Sequence, residues 1–367
     1  MSRGPVGVAV IGAGVISKEY LKNLTAFPDL TVHAVTDLLP DAAKARAREY
    51  GIAEHGTPEL ALHHPDVEII VNLTTPAAHV EIATAALRAG KHVWSEKPFA
   101  LDRESGLGLL KEADDAGLRL GCAPDTFLGA GLQTARRIIE RGDIGVPLTA
   151  HTLFQTPGPE SWHPSPAFLF QRGAGPLFDM GPYYLTALVQ ALGSVRRVSA
   201  VGSTSRATRT IGSGPRAGEQ FAVEVPTHVS ALIEFASGGS ANSTFSFESP
   251  HTRMGFVEIT GTEATLSLPD PNAFDGELKI WGAGESEWTT VATTGPADGR
   301  GLGVLDMARS LRSGEPHRAT GKLAHHVLDT MVSVSESIDT GAFVDVTSAA
   351  PMCGPHPEDW SPCAATL

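Results

Sequence analysis

Val6-Gly-Val-Ala-Val-Ile11, Gly12-Ala-Gly14-Val15-Ile16-Ser17 and Lys18-Glu-Tyr-Leu-Lys-Asn-Leu-Thr-Ala-Phe27 run on from one another, and their reading decides the fold. The first block is short and apolar and predicts a buried strand, while the third has the apolar spacing of a helix. Between them, the first glycine lets the chain turn sharply. The second removes a side chain, so that a diphosphate can lie against helix-end N–H groups. Ser17 replaces a third glycine and needs only to be small. Alone this pattern is weak, but its context repeats the order such a site requires. Thr31-Val-His-Ala-Val-Thr36 predicts a second strand, with Asp37 at its end. A carboxylate there can accept hydrogen bonds from both adenosine ribose hydroxyls and would repel a ribose phosphate, so the expected cofactor is NAD. The other reading of Asp37 is a cap for the helix Pro40 to Tyr50, or a solvated loop residue.

The same alternation continues. Val67 to Leu73 predicts a central strand, Ala78 to Arg88 a helix closed by Gly90, and His92-Val-Trp-Ser95 a strand. Arg103 to Ala116 predicts a helix ended by Gly117, and Leu118 to Cys122 a last strand. Strand–helix alternation gives a parallel sheet. Ligands of such sheets lie at the carboxyl ends of the strands, where the turn Thr74-Thr75-Pro76 and the triplet Glu96-Lys97-Pro98 fall. Lys97 is placed to face the reacting part of a bound nicotinamide. His79 begins a helix on the cofactor side and is expected to bond to a neighbouring loop.

The bulk numbers exclude several classes. With 367 residues the chain is long enough for two domains with substantial cores. A formal charge of -13 disfavours nucleic acid and anionic membrane surfaces as partners. No apolar run is long enough to span a membrane, and Val6 to Ile11 is too short for a signal segment, so a cytoplasmic location is expected. Of the three cysteines, Cys122 is expected to be a small buried residue. Cys353, His356 and Cys363 lack a fourth nearby ligand, so no metal site is expected.

After residue 123 the texture changes. Ala130 to Arg141 is helical, and then alternating runs at 148–154, 227–235, 240–247 and 255–260 predict strands of an open, mainly antiparallel mixed sheet. Gly202 to Gly218 reads as a mobile insertion or an exposed hairpin. Lys322 to Asp339 is a long final helix, and Ala349 to Leu367 has little patterning. The expected division is therefore 1–123, an α/β nucleotide-binding domain; 124–348, an α+β substrate-binding and oligomerisation domain; and 349–367, a tail. Within the second domain, Gly173-Ala-Gly175 leads into a helix carrying Asp179 and Tyr183 four residues apart, hence on one face. The tyrosine hydroxyl can exchange a proton with an alcohol, and Asp179 can orient a hydroxyl or a lysine ammonium. An aspartate cap followed by packed tyrosines is the plainer alternative. Trp162 can cover a sugar face, or merely pack; His163 can bond to a hydroxyl, and Asp125 to another.

Gly12-Ala-Gly14, Thr75-Pro76 through His79, Ala89 to Pro98, Gly142-Asp-Ile-Gly145 and Asp179-Met-Gly-Pro-Tyr183 together resemble the Gfo/Idh/MocA oxidoreductase family, which includes glucose-fructose oxidoreductase and inositol 2-dehydrogenase. The resemblance covers nearly the whole chain. It implies a Rossmann nicotinamide domain and a C-terminal sheet whose open face helps to form a homodimer or homotetramer. It also implies hydride exchange at a sugar, anhydrosugar or cyclitol carbinol. Lys97 is then catalytic and a substrate contact, supported by Glu96, with a cis Lys97–Pro98 peptide. Tyr183 stands where many members carry histidine, as in the dihydrodiol dehydrogenase and glucose-fructose oxidoreductase branch. Thr186 replaces a later aspartate, which weakens an assignment to inositol dehydrogenases. Two rival activities within the pattern are a glycosidase using transient oxidation by NAD and a sugar sensor that binds NAD without turnover.

Overall fold

The computed structural model describes residues 4–297 and 299–367. By its contacts the chain groups into two compact units built from interleaved segments. The first takes in Met1–Ala130, Gly295–His325 and Pro351–Leu367, and the second Gly131–Thr294 and His326–Ala350.

The elements in chain order begin with β1 (Val6–Ile11), α1 (Ser17–Leu24), β2 (Leu30–Thr36), α2 (Pro40–Glu49), β3 (Glu54–Gly56) and α3 (Pro58–His63). They continue with β4 (Ile69–Asn72), α4 (His79–Arg88), β5 (His92–Ser95), α5 (Arg103–Ala116) and β6 (Leu120–Cys122). These strands form one parallel sheet in the order β3-β2-β1-β4-β5-β6. The order reverses between β1 and β4, which opens the crevice where doubly wound sheets take ligands. β3 is the one strand of this sheet that periodicity did not reveal, because its three residues, Glu54-His-Gly56, carry no apolar signal. The central strands are near-continuous apolar runs because helices cover both faces of such a sheet, and Val6 to Ile11 is buried throughout.

Register fixes the site. Thr36, Ile11, Asn72, Ser95 and Cys122 pair in one row across five strands. One further hydrogen bond extends each step: Gly12 N–H to Thr36, Leu73 N–H to Ile11, Glu96 N–H to Asn72 and Ala123 N–H to Ser95. Asp37, Gly12, Leu73, Glu96 and Ala123 thus stand side by side along one rim.

The remaining elements are α6 (Ala130–Arg141), β7 (Pro147–Gln155), α7 (Gly175–Leu192), β8 (Val195–Ser203), β9 (Thr208–Thr210) and β10 (Gln220–Ala222). There follow β11 (His228–Phe235), β12 (Ser240–Ser246), β13 (Arg253–Gly261), β14 (Ala264–Leu268), β15 (Leu278–Gly282) and β16 (Thr289–Val291). Last come α8 (Leu302–Ser313), α9 (Gly321–Thr340) and β17 (Val344–Asp345). Nine strands form the second unit's sheet in the order β16-β15-β14-β13-β7-β12-β11-β8-β17, parallel only at β7–β12. Its inner face carries alternate residues such as Ala150, Phe154, Ile233 and Phe245, packed under α7, where the Tyr184 ring meets Phe154 and Phe245 edge-on. The 202–218 stretch resolves into the hairpin reading, since β9 and β10 pair antiparallel.

In the first unit, α8 returns 170 or more residues after the sheet was laid down and packs on β5. Trp94, fully buried, lies between Gly121 and Gly303. A methyl group at Gly303 would sit 1.9 Å from the indole Cη2, which is why no side chain is tolerated there. The tail 351–367 also folds back here. Arg309 donates to the carbonyls of Ser361 and Ala364 and to Asp29, and Asp29 accepts from Thr366 and Leu367.

Candidate active site

The glycine turn leaves β1 at Gly12, whose φ of +110° and whose 2.5 Å approach to the Leu73 carbonyl exclude any side chain. A Cβ at Gly14, by contrast, would meet nothing within 4 Å, so the space over the turn is open for a diphosphate to approach the backbone. Ser17 closes the turn, its hydroxyl donating to the Gly14 carbonyl at 2.6 Å. Val15 is 88% exposed and Leu38 84%, apolar surfaces left bare on either side of the same turn. Asp37 is anchored at both oxygens, Oδ2 accepting the Ala13 N–H at 2.7 Å and Oδ1 the Leu39 N–H at 2.8 Å. It caps neither α2 nor a free loop, since α2 carries no side-chain cap. These residues fit an NAD adenosine and diphosphate.

Arg46, which sequence reading missed, reaches from α2 to the carbonyls of Ala13 and Gly14 and pairs with Glu49. Its signal in the sequence is only its helical position, 10 residues downstream of Thr36, and nothing local distinguishes it from Arg48.

Past β4, Thr74 turns back on Asn72, its N–H and hydroxyl both donating to Asn72 Oδ1, and Thr75 is exposed on the rim. His79 bridges two turns. Both ring nitrogens lie on backbone carbonyls, Nδ1 on Pro98 at 2.8 Å and Nε2 on Thr74 at 3.1 Å, and the residue is 1% exposed. Burial pulls its pKa below the usual value, which favours a neutral ring holding one of the two carbonyls. His79 thus ties the turn after β4 to the turn after Lys97, as its expected bonding to a neighbouring loop requires. Lys97 itself, half-buried, follows Glu96 on the rim and precedes a cis peptide to Pro98. Glu96 is buried, its Oε1 accepting from the Tyr20 hydroxyl and its Oε2 from the Lys97 N–H.

Asp125 follows β6. It is fully buried, and its Oδ2 accepts the N–H groups of Gly301 and Gly303, the start of α8. A carboxylate at a helix N-terminus stabilises the unpaired amides there. Burial raises its pKa to about 6, with Arg300 opposing. Cys122 is buried and its thiol pKa is raised well above the ordinary value by burial, so it is inert. His33, His64 and Asp66 bring ligand-type atoms within 4.8 Å of one another, but His64 already accepts the Asp66 N–H at Nδ1 and pairs with Glu54 at Nε2.

In the second unit, Asp179 and Tyr183 lie on α7, and Tyr183 is 6% exposed. The plainer reading of Asp179 as a helix cap fails on position, since α7 begins at Gly175 after Ala174. Tyr184 turns the other way into the sheet core, where its hydroxyl accepts the Gly255 N–H at 2.8 Å. Trp162 is 67% exposed, and its ring stands edge-on to His163, which stands edge-on in turn to Phe168. The loop that carries them is pinned by Arg209, another residue that sequence reading passed over inside a Ser/Thr/Gly-rich stretch. Arg209 donates to the Pro157 and Phe247 carbonyls and pairs with Glu160 and Glu248, its side chain 2% exposed.

A model of an oxidoreductase family with an NAD-binding Rossmann fold matches residues 6–123, and a model of the GFO/IDH/MocA C-terminal domain matches residues 132–267. The chain is 28% identical to levoglucosan dehydrogenase of Pseudarthrobacter phenanthrenivorans over 291 residues, 71% of this chain and 73% of that protein. It is 27% identical to 1,5-anhydro-D-fructose reductase of Ensifer adhaerens over 263 residues, 70% of this chain and 74% of that protein. The solved structure of an NAD binding oxidoreductase from Klebsiella pneumoniae superposes with a TM-score of 0.83 at 22% identity, covering 94% of this chain and all of that one, which establishes a shared fold.

Proposed function

The chain belongs to the Gfo/Idh/MocA family of NAD-dependent oxidoreductases, and we propose that it exchanges hydride with the carbinol carbon of a sugar or anhydrosugar. The observation that carries this is the rim of the first unit, where the glycine turn, Asp37 and Lys97 follow the ends of strands in one register row. Bound NAD would supply the hydride acceptor. Gly12 to Ser17 would hold its diphosphate and Asp37 its ribose. Lys97 takes the hydroxyl proton as the C–H bond breaks and returns it in the reverse direction. Tyr183, from the family motif of the second unit, is proposed to share that proton, with Asp179 orienting the hydroxyl and Trp162 and His163 lending apolar and polar contact to the ring. Levoglucosan and 1,5-anhydro-D-fructose head the panel because two relatives matched over most of their length are named for them.

The test is a panel of monosaccharides, anhydrosugars, cyclitols and glycosides, scored by NADH appearance and by product identity. Net NADH with a ketone product supports the proposal; hydrolysis without net NADH would make the enzyme a glycosidase, and tight NAD binding without turnover a sensor. Lys97→Ala should cut turnover by about 100-fold or more with NAD affinity kept, and Tyr183→Phe should lower the oxidation rate and change its pH dependence. Wild-type turnover in both would remove the assigned chemistry.

We also propose a homo-oligomer. One face of the nine-stranded sheet carries Val201 (68% exposed) and Leu232 (42%) together with Leu153, Phe256 and Trp281 among polar neighbours. Such a surface favours pairing with a second copy. Sedimentation at low micromolar concentration should show a dimer or tetramer, and a persistent monomer would reject it.

A further inference from the structure

Tyr20 belongs neither to the glycine turn nor to the strand that carries Lys97, yet it touches both. It lies on α1, the helix that starts at the turn, and is fully buried. Its hydroxyl receives the Trp94 Nε1–H at 3.2 Å and donates to Glu96 Oε1 at 2.8 Å. Glu96 Oε2 in turn accepts the backbone N–H of Lys97 at 2.9 Å. The direction of the chain is fixed by its members, because an indole nitrogen only donates and a carboxylate only accepts, so the hydroxyl must give its single proton to Glu96. Burial, and after it the charges of Glu96 and Asp125, raise the Tyr20 pKa well above the ordinary value, so that proton is not lost in the neutral range. The far end of the chain is equally firm, since Trp94 is wedged between Gly121 and Gly303.

We propose that Tyr20 is a positioning residue for the reaction, holding through Glu96 the backbone from which the Lys97 side chain springs, in fixed relation to the helix that follows the cofactor turn. This rests on the reading of Lys97 as the group that moves the proton. A tyrosine that only filled the core would need no such chain: phenylalanine would fill the same volume, and a buried hydroxyl is tolerated only where its partners repay its desolvation. Here the partners lead to the lysine and end there.

Tyr20→Phe keeps the ring and deletes one donor. Loss of a hydrogen bond to a charged group predicts a fall in kcat of about 10- to 100-fold. NAD affinity should stay within about threefold, because the diphosphate is held at Gly12 to Ser17. The kcat–pH profile should change as well, a readout that a ring serving only as packing would leave alone. The other groups facing Glu96 are His79 on α4, Lys97 beside it, Cys122 at the end of β6 and Asp125, with Arg300 behind Asp125, and none of them changes in the variant. A wild-type kcat and an unchanged pH profile in Tyr20→Phe, with Lys97→Ala inactive, would overturn the positioning role and leave the lysine assignment standing. An active Lys97→Ala would bring down both. Equal losses in kcat and in NAD affinity with no pH shift would make Tyr20 a packing residue and also overturn the proposal. Should Tyr20→Phe fail to fold by circular dichroism, Glu96→Gln is read by the same three measures, and wild-type values there overturn it.

Discussion

Replacing Asp37 should change which coenzyme the enzyme accepts, and the structure sets the size of the effect. The carboxylate cannot swing aside, because the Ala13 and Leu39 N–H groups hold both of its oxygens at 2.7 and 2.8 Å. A ribose phosphate with about two negative charges, brought within about 4 Å of it, would be repelled by about 2 kcal/mol even at the dielectric constant of water. NADP also forfeits the hydrogen bond from the 2′ hydroxyl to a charged acceptor, worth about 1.5–3 kcal/mol. The sum, about 4 kcal/mol or more, corresponds to a preference for NAD of about 1,000-fold in kcat/KM. Asp37→Ala should shrink the ratio to about tenfold or less, mainly by losing affinity for NAD. Arg46 is the cation that could work against this, but Glu49 pairs with it and the carbonyls of Ala13 and Gly14 occupy it, so Arg46→Ala should leave the ratio within about threefold. The assay is steady-state kinetics with both coenzymes on one substrate. A wild-type enzyme that used NADP as well as NAD, with the preference lost only in Arg46→Ala, would refute the reasoning.

Gly303→Ala should destabilise the first unit by about 3 kcal/mol, since its methyl would overlap the Trp94 ring, and an unchanged thermal midpoint would show that α8 can slide off β5 at little cost. Glu248 is held near a pKa of about 2: burial alone would raise it, but hydrogen bonds from Ser205, Thr227 and Arg209 outweigh burial. Because its folded value lies below the ordinary 4.5, this stabilisation is complete above that pH and disappears as pH falls towards 2. Urea unfolding across that window should be less pH-dependent in Glu248→Gln, and parallel curves would remove Glu248 from the acid response. Arg209→Met leaves the half-buried Glu160 and Glu248 without their cation and should loosen the Trp162 loop, read as faster proteolysis between 157 and 164 and a higher KM for the sugar; an unchanged KM would separate the loop from the substrate.

How far the sequence could be read depended on the range of the interactions. The parallel sheet was legible because Val6–Ile11, Ile69–Asn72 and His92–Ser95 declare themselves by local apolar runs, with glycine and charge marking their ends. Lys97 and the glycine turn could be named for the same reason. The helix-end role of Asp125 could not be read, because its partners, Gly301 and Gly303, stand more than 170 residues away, and no pattern near Pro124 announces a helix that arrives so late. His79 was expected to bond to a neighbouring loop from its place at a helix start, and its ring does lie on the Pro98 carbonyl, though only the fold could name that partner. Tyr20, Arg46 and Arg209 each sat on an ordinary helical or strand position, and only the fold revealed what their polar ends reach.

The return of α8 and the last residues to the first unit bears on how a ribosome would make this protein. When Cys122 emerges, all six parallel strands exist, but the helix that shields Trp94 and caps Asp125 is still to be translated, as is the segment that satisfies Asp29. At about 5–20 residues per second, that wait lasts on the order of ten seconds or more. During it the nascent sheet shows one unfinished flank to chaperones and to neighbouring chains, while the second unit, whose sheet is complete once β17 is out, closes between the two halves of its predecessor's completion. Slow-translating codons after Thr294 would lengthen this exposure, and a fusion partner placed beyond Leu367 would crowd the docking of the residues that end it.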